Sequence, residues 1–397
     1  MKHMWKKIAS VVLAAALVCS VGAMFAGCSA NYTAENTEFV IGCSGPLTGA
    51  AAVYGVAVKN SAEMAVAEIN KEIEETGALG GVKFKFVMMD DKHDATMVAT
   101  NYASLYEGGM QVSLGTVTTA PGLEWKKLSA DDNVFFLTPS ASGDDIPKVD
   151  NGYQMCFADG NQGKVAAQYV SENYSGQTIG ILFRSDDAYS TGIYNQFKDN
   201  LDASVKTVEA SFIGDNPSDF SSQIDILKDC KFVFMPIYAS PAALYMVQAK
   251  DTMAPDTIYY GCDGLDGIES VENFDINAIP QEVSMLSHFN SKATDGAAKE
   301  FIDKYVDQYG TDTLNQFGAS AYDCVYAIYN AMKAIYAKDS SKLDVTMSAT
   351  DLCELLKAEF NGGFSYSGVT GNNITWSTDG YVNKTAIRYV QKEASAS

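Results

Sequence analysis

The stretch "VSLGTVTTAPGLEWKKLSADDNVFFLTPS", residues 112–140, decides the fold. It opens on a short apolar run bounded by glycine and turns through three hydroxyls, Thr116, Thr118 and Thr119. The helical pattern "APGLEWKKLSADD" follows, and a second apolar run, "NVFFLTP", closes it. Two short, nearly continuous apolar strands around one helix read as a parallel βαβ unit. The hydroxyls stand where strand gives way to helix, as N-caps or as contacts to a bound group.

The same alternation extends in both directions. Upstream lie "EFVIGCSG" (strand), "YGVAVKNSAEMAVAEINKEIEE" (helix), "VKFKFVMMD" (strand) and "ATMVATNYASLYEG" (helix). After "GYQMCFADG" the rhythm restarts with "QGKVAAQYVSENY" and "TIGILFRSD" and runs through "TIYYGCDG". Two βα series in succession predict an α/β protein of two Rossmann-like, doubly wound lobes, with parallel sheets covered by helices on both faces. Two long helices follow, "GAAKEFIDKYVDQYG" and "SAYDCVYAIYNAMKAIYAK". The final "ITWSTDGYVNKTAIRYVQKE" reads as a hairpin.

The first 27 residues are read as a signal peptide. Lys2, Lys6 and Lys7 precede the apolar run "IASVVLAAALVCSVGAMFA", which ends in "FAGC". The small–small–cysteine ending resembles a bacterial lipobox, making Cys28 the site of lipid attachment and residues 28–37 a polar tether. The protein is then expected outside the cytoplasm, held at the membrane by its lipid. No other apolar run approaches the roughly 18 residues needed to span a bilayer. The roughly 370 remaining residues exceed one core, which again favours two lobes.

The chain holds 28 Lys and Arg against 49 Asp and Glu, a net charge of −21. Removing the signal takes away lysines and no acids, so a nucleic-acid partner is not expected. Six cysteines beyond Cys28 are scattered singly, with no CxxC, and indicate neither a zinc site nor a disulfide framework. "DDKHD", residues 90–94, has the composition of a metal cluster but reads better as an acidic strand-end turn. No cofactor is expected: the glycines of "GCSGPLTG" lack the lysine of a phosphate loop. No GxSxG elbow or other nucleophile arrangement accompanies His93 and His288, so an enzyme is not expected.

Ligands of open α/β sheets bind beyond the carboxyl ends of the strands. On the first series those ends carry Thr118, Thr119, Ser140 and Ser142; on the second they carry Tyr189, Tyr238 and Asp263. Hydroxyls at a helix start suit a carboxylate, and an acid among tyrosines suits an ammonium with an apolar body. Together they describe a cleft for an α-amino acid. Blander roles stay open for each: capping for Thr119 and Ser142, turn formation for Asp263, packing for the tyrosines.

In order and spacing, "IGCSGPLTGAAAVYG", "MMDDKHDATMVA", "GTVTTAP", "FLTPSAS", "DDAYSTG" and "YYGCDGL" resemble leucine/isoleucine/valine-binding proteins. These are the substrate-binding components of branched-chain amino acid ABC importers, with the type I periplasmic-binding-protein fold. The resemblance implies a ligand carboxylate on Thr119 and Ser142, an ammonium on the carbonyl of Ser140 and on Asp263, and a side-chain pocket lined by Tyr54, Tyr189 and Tyr238. Thr118 is counted with them as a ligand-binding residue. Asp263 stands where the family usually carries Glu. The family's frequent disulfide would need cysteines at His93 and Thr118, which this chain lacks. The resemblance further implies ABC permease subunits as partners and a branched-chain aliphatic amino acid as ligand. An aromatic amino acid, an amide or another small solute, and a ligand-sensing role, are the alternatives. Lobe one is expected at 38–157 plus 286–362, and lobe two at 158–285 plus 363–393. The crossings are expected near Cys156–Gly160, Val283–His288 and Phe360–Thr370.

Overall fold

The computed structural model describes residues 36–395. The signal segment, Cys28 and all but the end of the 28–37 tether lie outside them. Lobe one begins with β1 (Phe39–Gly45), α1 (Ala52–Thr76), β2 (Phe84–Asp90), α2 (Val98–Glu107) and β3 (Val112–Thr116). It continues through α3 (Thr119–Asp132), β4 (Phe136–Thr138) and the short β5 (Gly152–Gln154). These strands form a five-stranded sheet in the order β2-β1-β3-β4-β5, parallel throughout. The β1 side chains are buried along their whole length, as a strand covered on both faces requires.

The second series is α4 (Asp159–Asn173), β6 (Thr178–Arg184), α5 (Ala188–Asn200), β7 (Lys206–Phe212) and α6 (Ser221–Leu227). It runs on through β8 (Phe232–Met235), α7 (Ala239–Ala249), β9 (Ile258–Gly261) and β10 (Glu282–Ser287). Next come α8 (Gly296–Tyr309), α9 (Gln316–Lys338), α10 (Ala349–Asn361), β11 (Tyr366–Gly368), β12 (Gly371–Ile374) and β13 (Ile387–Lys392). The second sheet has the order β13-β10-β9-β8-β6-β7. Each lobe is therefore a doubly wound α/β unit.

Local chemistry sets the helix ends that matter for the site. Asp187 caps α5 by accepting from the Ser190 amide at 2.9 Å. Asn315 caps α9 through the amides of Phe317 and Gly318. Gly55 in α1 lies against the first loop: a Cβ there would come within 2.0 Å of the Pro46 carbonyl oxygen. That contact seats the loop after β1 on the helix carrying Tyr54.

The C-terminal stretch does not form the expected hairpin. Trp376 and Val382 make an isolated antiparallel bridge, but β13 runs on to pair antiparallel with β10, Met285 opposite Tyr389. An Arg388–Glu282 ion pair joins the two strands, and the Arg388 guanidinium lies 5.1 Å from the Tyr169 ring. The last strand thus extends the second sheet past β10 and becomes its edge. Cys43, Cys156, Cys230, Cys262, Cys324 and Cys353 are all buried and unpaired. Among the described residues no helix is long and apolar enough to cross a membrane, and no cluster of His, Cys, Asp and Glu could hold a metal ion.

Candidate functional site

Of the eight expected site residues, Tyr54, Tyr189, Tyr238 and Asp263 are joined by direct contacts, Thr118 and Ser142 reach lobe two through His93 and Asp159, and Ser140 and Thr119 make their contacts within lobe one. On lobe one, Ser140 Oγ donates to the Val117 carbonyl at 2.7 Å, which fixes the loop after β4 against the start of α3. Thr118 occupies the N-cap position of α3 but makes no side-chain cap. Its hydroxyl instead bonds Nδ1 of His93 at 2.8 Å. Thr119 Oγ1 is buried and has no hydrogen-bond partner among the described residues. Neither hydroxyl therefore serves the helix. Thr119 packs against Gly143, where a Cβ would lie 2.8 Å from its methyl; that glycine follows Ser142.

Lobe two presents acid. Asp263 begins a short 3-10 turn after β9, but its side chain points to the seam. Oδ1 accepts from the Tyr189 hydroxyl at 2.7 Å and from the Gln162 side-chain amide at 2.9 Å. Gln162 also accepts from the Asp263 backbone amide at 2.9 Å, so the turn is gripped from two directions. Asp159, at the start of α4, is buried beside them. Its amide donates to the Ser142 carbonyl at 2.8 Å, which ties it to lobe one.

The tyrosines complete the seam. Tyr189 stacks on Tyr238 at 4.6 Å between centroids, and Tyr54 lies 5.5 Å from Tyr238 and 4.6 Å from Phe317. Tyr54 reaches from lobe one into lobe two: its hydroxyl donates to the Gly264 carbonyl at 2.6 Å and accepts from the Ala239 amide at 2.8 Å. Ser240 Oγ donates to the Ala50 carbonyl at 2.8 Å, and the His93 ring meets Tyr238 edge-on at 5.1 Å. The lobes are closed on each other in this conformation.

Burial governs the charges. It pushes the Asp263 carboxyl up to about 6, against the lowering hydrogen bonds from Tyr189 and Gln162. It raises Asp159 well above the usual carboxylate range, helped by the neighbouring charge of Asp263. A positively charged group placed against the two acids would offset the cost of ionising them.

Sequence reasoning missed Asp159, Gln162, Phe317 and the role of His93. Asp159 and Gln162 stand at the start of a helix, one within and one just past an expected crossing, not at the carboxyl end of a strand. Their only signal was an acid in the first turn of α4. His93 was read within an acidic turn. In the fold it forms with Thr118 a hydrogen bond at the two positions where the resembling family often carries a disulfide.

Two Rossmann-like lobes closing on a buried seam, with hydroxyls on one wall and acids with aromatics on the other, define a two-lobed solute-binding protein rather than an enzyme. Residues 38–391 match the family described as periplasmic binding protein, and the chain belongs to that family. It is 30% identical over 239 residues to the Leu/Ile/Val-binding protein BraC3 of Rhizobium johnstonii, covering 59% of this chain and 64% of that protein. It is 27% identical over 334 residues to the leucine-, isoleucine-, valine-, threonine- and alanine-binding protein of Pseudomonas aeruginosa, covering 81% and 84%. The branched-chain amino acid transporter substrate binding protein LivJ from Streptococcus pneumoniae, solved in complex with isoleucine, shares the fold. Its TM-score is 0.74 at 22% identity, over 89% of this chain and 98% of that one.

Proposed function

We propose that the protein is the extracytoplasmic, lipid-anchored solute-binding component of an ABC importer and that it binds an α-amino acid between its lobes. The observation that carries the reading is the pairing of chemistries across the seam. Thr119 brings a buried hydroxyl with no partner among the described residues, and opposite it stand two buried acids, Asp263 and Asp159. A carboxylate fits the first wall at Thr119, which Ser142 would join by turning its hydroxyl from the Asp159 carboxyl that it now bonds, and an ammonium fits the second, where the Ser140 carbonyl would help. The names of relatives in the family make leucine, isoleucine and valine the reference ligands. Delivery to permease subunits follows from the importer reading, and anchorage rests on the "AGC" ending at Cys28.

The experiment is thermal shift and calorimetry on the full chain, stripped of co-purified ligand, against the twenty amino acids. A ligand binding only the folded protein at about 100 times its dissociation constant adds roughly 2.7 kcal/mol. Thr119→Val should weaken every amino acid that binds by about tenfold or more, because a charge-assisted hydrogen bond to the carboxylate is lost. Its effect on the ligand-free fold should be small, since the hydroxyl it removes has no partner. No shift with any amino acid would turn the search to amides, aromatic acids and other solutes. Labelling with a fatty-acid probe, lost in Cys28→Ser, tests the anchor.

A further inference from the structure

Beside His93 and Tyr238 lies a cavity of about 100 Å³, which shares Tyr238 with the site described above. Its lining is part apolar, with Ala51, Ile237 and Tyr238, and part charged or polar, with Lys92, His93, Arg184, Asp187 and Asp215. A cavity made for a purely aliphatic group would be apolar throughout.

Asp187 is the decisive group. Its side chain is 3% exposed. One oxygen is committed to the Ser190 amide as the cap of α5. The other faces Nε2 of His93 at 3.9 Å, beyond hydrogen-bond reach. Two further cations line the cavity: Arg184 donates through Nε to Asp186 at 2.7 Å and pairs through its guanidinium with Asp215, and Lys92, which is exposed, forms no ion pair with Asp187. His93 Nδ1 is occupied by Thr118. Burial holds the imidazole below its ordinary value and the Asp187 carboxyl above its own, while their mutual attraction pulls each the other way.

We infer that this cavity receives a ligand side chain with an apolar stem, lying along Tyr238, and a hydrogen-bond donor at its tip, taken by Asp187. This rests on the amino-acid reading and makes Asp187 and His93 specificity-determining residues. It shifts the preferred ligand from wholly aliphatic to donor-tipped amino acids. An aliphatic tip would seal Asp187 from water with nothing in return.

The test uses isosteric pairs, asparagine against leucine and ornithine against norleucine, titrated calorimetrically into the full chain after removal of co-purified ligand. The donor-tipped member of each pair should bind tighter by about tenfold or more. Asp187→Asn, which retains a good cap for α5, should bring the ornithine-to-norleucine affinity ratio close to one. Leucine and norleucine binding as tightly as their polar counterparts would overturn the inference while the amino-acid reading stands. An ornithine preference that survives in Asp187→Asn would remove Asp187 from the role. If no amino acid binds, both readings fall together.

Discussion

Asp263 is a carboxyl group that the fold buries before any ligand arrives. Its value is raised from 3.8 to about 6, so the folded protein binds that proton more tightly than the unfolded chain does. The stability this confers is full below 3.8 and is lost as pH rises through about 6. At pH 8 the ligand-free protein therefore carries the cost of a buried carboxylate. Asp263→Asn should relieve it, because the side-chain hydrogen bonds from Tyr189 and Gln162 end on Oδ1 and an amide oxygen can accept both. The variant should be stabilised by about 2 kcal/mol at pH 8 and scarcely at pH 4, read from denaturant midpoints. It should also lose discrimination between an amino acid and its desamino analogue. Equal midpoints at pH 8 would mean that the acid is better solvated than its surroundings imply. Much of this wall was legible in the sequence, since Tyr189, Tyr238 and Asp263 stand at strand ends where ligands of α/β sheets gather. Asp159 and Gln162 were not, because the chain crosses between lobes just before them and no local pattern marks what a crossing brings into the site.

At the scale of elements, the segment from β11 into β12 is held by one side chain. Asp323, buried in α9, accepts from the Tyr366 hydroxyl at 2.9 Å and from the amides of Val369 and Thr370 at 2.8 and 2.7 Å. Thr370 is bonded in turn by Lys384, a half-buried ammonium that desolvation lowers to about 8. Asp323→Ala would strand two backbone amides, a phenol and the Thr370 hydroxyl. It should cost about 3 kcal/mol, seen as an earlier urea midpoint with an unchanged slope. A shift under about 0.5 kcal/mol would show that the segment is held by its apolar neighbours instead. The strands and helices of both lobes follow from alternation and turn residues, because each βα unit is written locally. The partner of β13 is not local: it pairs with β10, about a hundred residues earlier in the chain. A hairpin was the reading nearest in sequence, and the Arg388–Glu282 pair that favours the distant register is invisible before folding.

At the scale of the molecule, function depends on how the lobes close, and Tyr54 is the residue that spans them. Its hydroxyl satisfies one carbonyl and one amide of lobe two. When the lobes part, those two groups meet water and lose nothing. The bond therefore stabilises the closed state relative to the open one, which is the condition for affecting affinity through closure. Tyr54→Phe keeps the ring beside Tyr238 and Phe317 and removes only the bridge. Two backbone groups are then closed over without a partner, at about 1–3 kcal/mol. The closed state alone bears that cost, so ligand should leave roughly ten- to a hundredfold faster while its association rate changes little. Stopped-flow dissociation gives the rate, and small-angle scattering without ligand should report a larger radius of gyration as the open population grows. A normal dissociation rate with normal scattering would move control of closure to the other contacts across the seam, Ser240 with Ala50 and His93 with Tyr238.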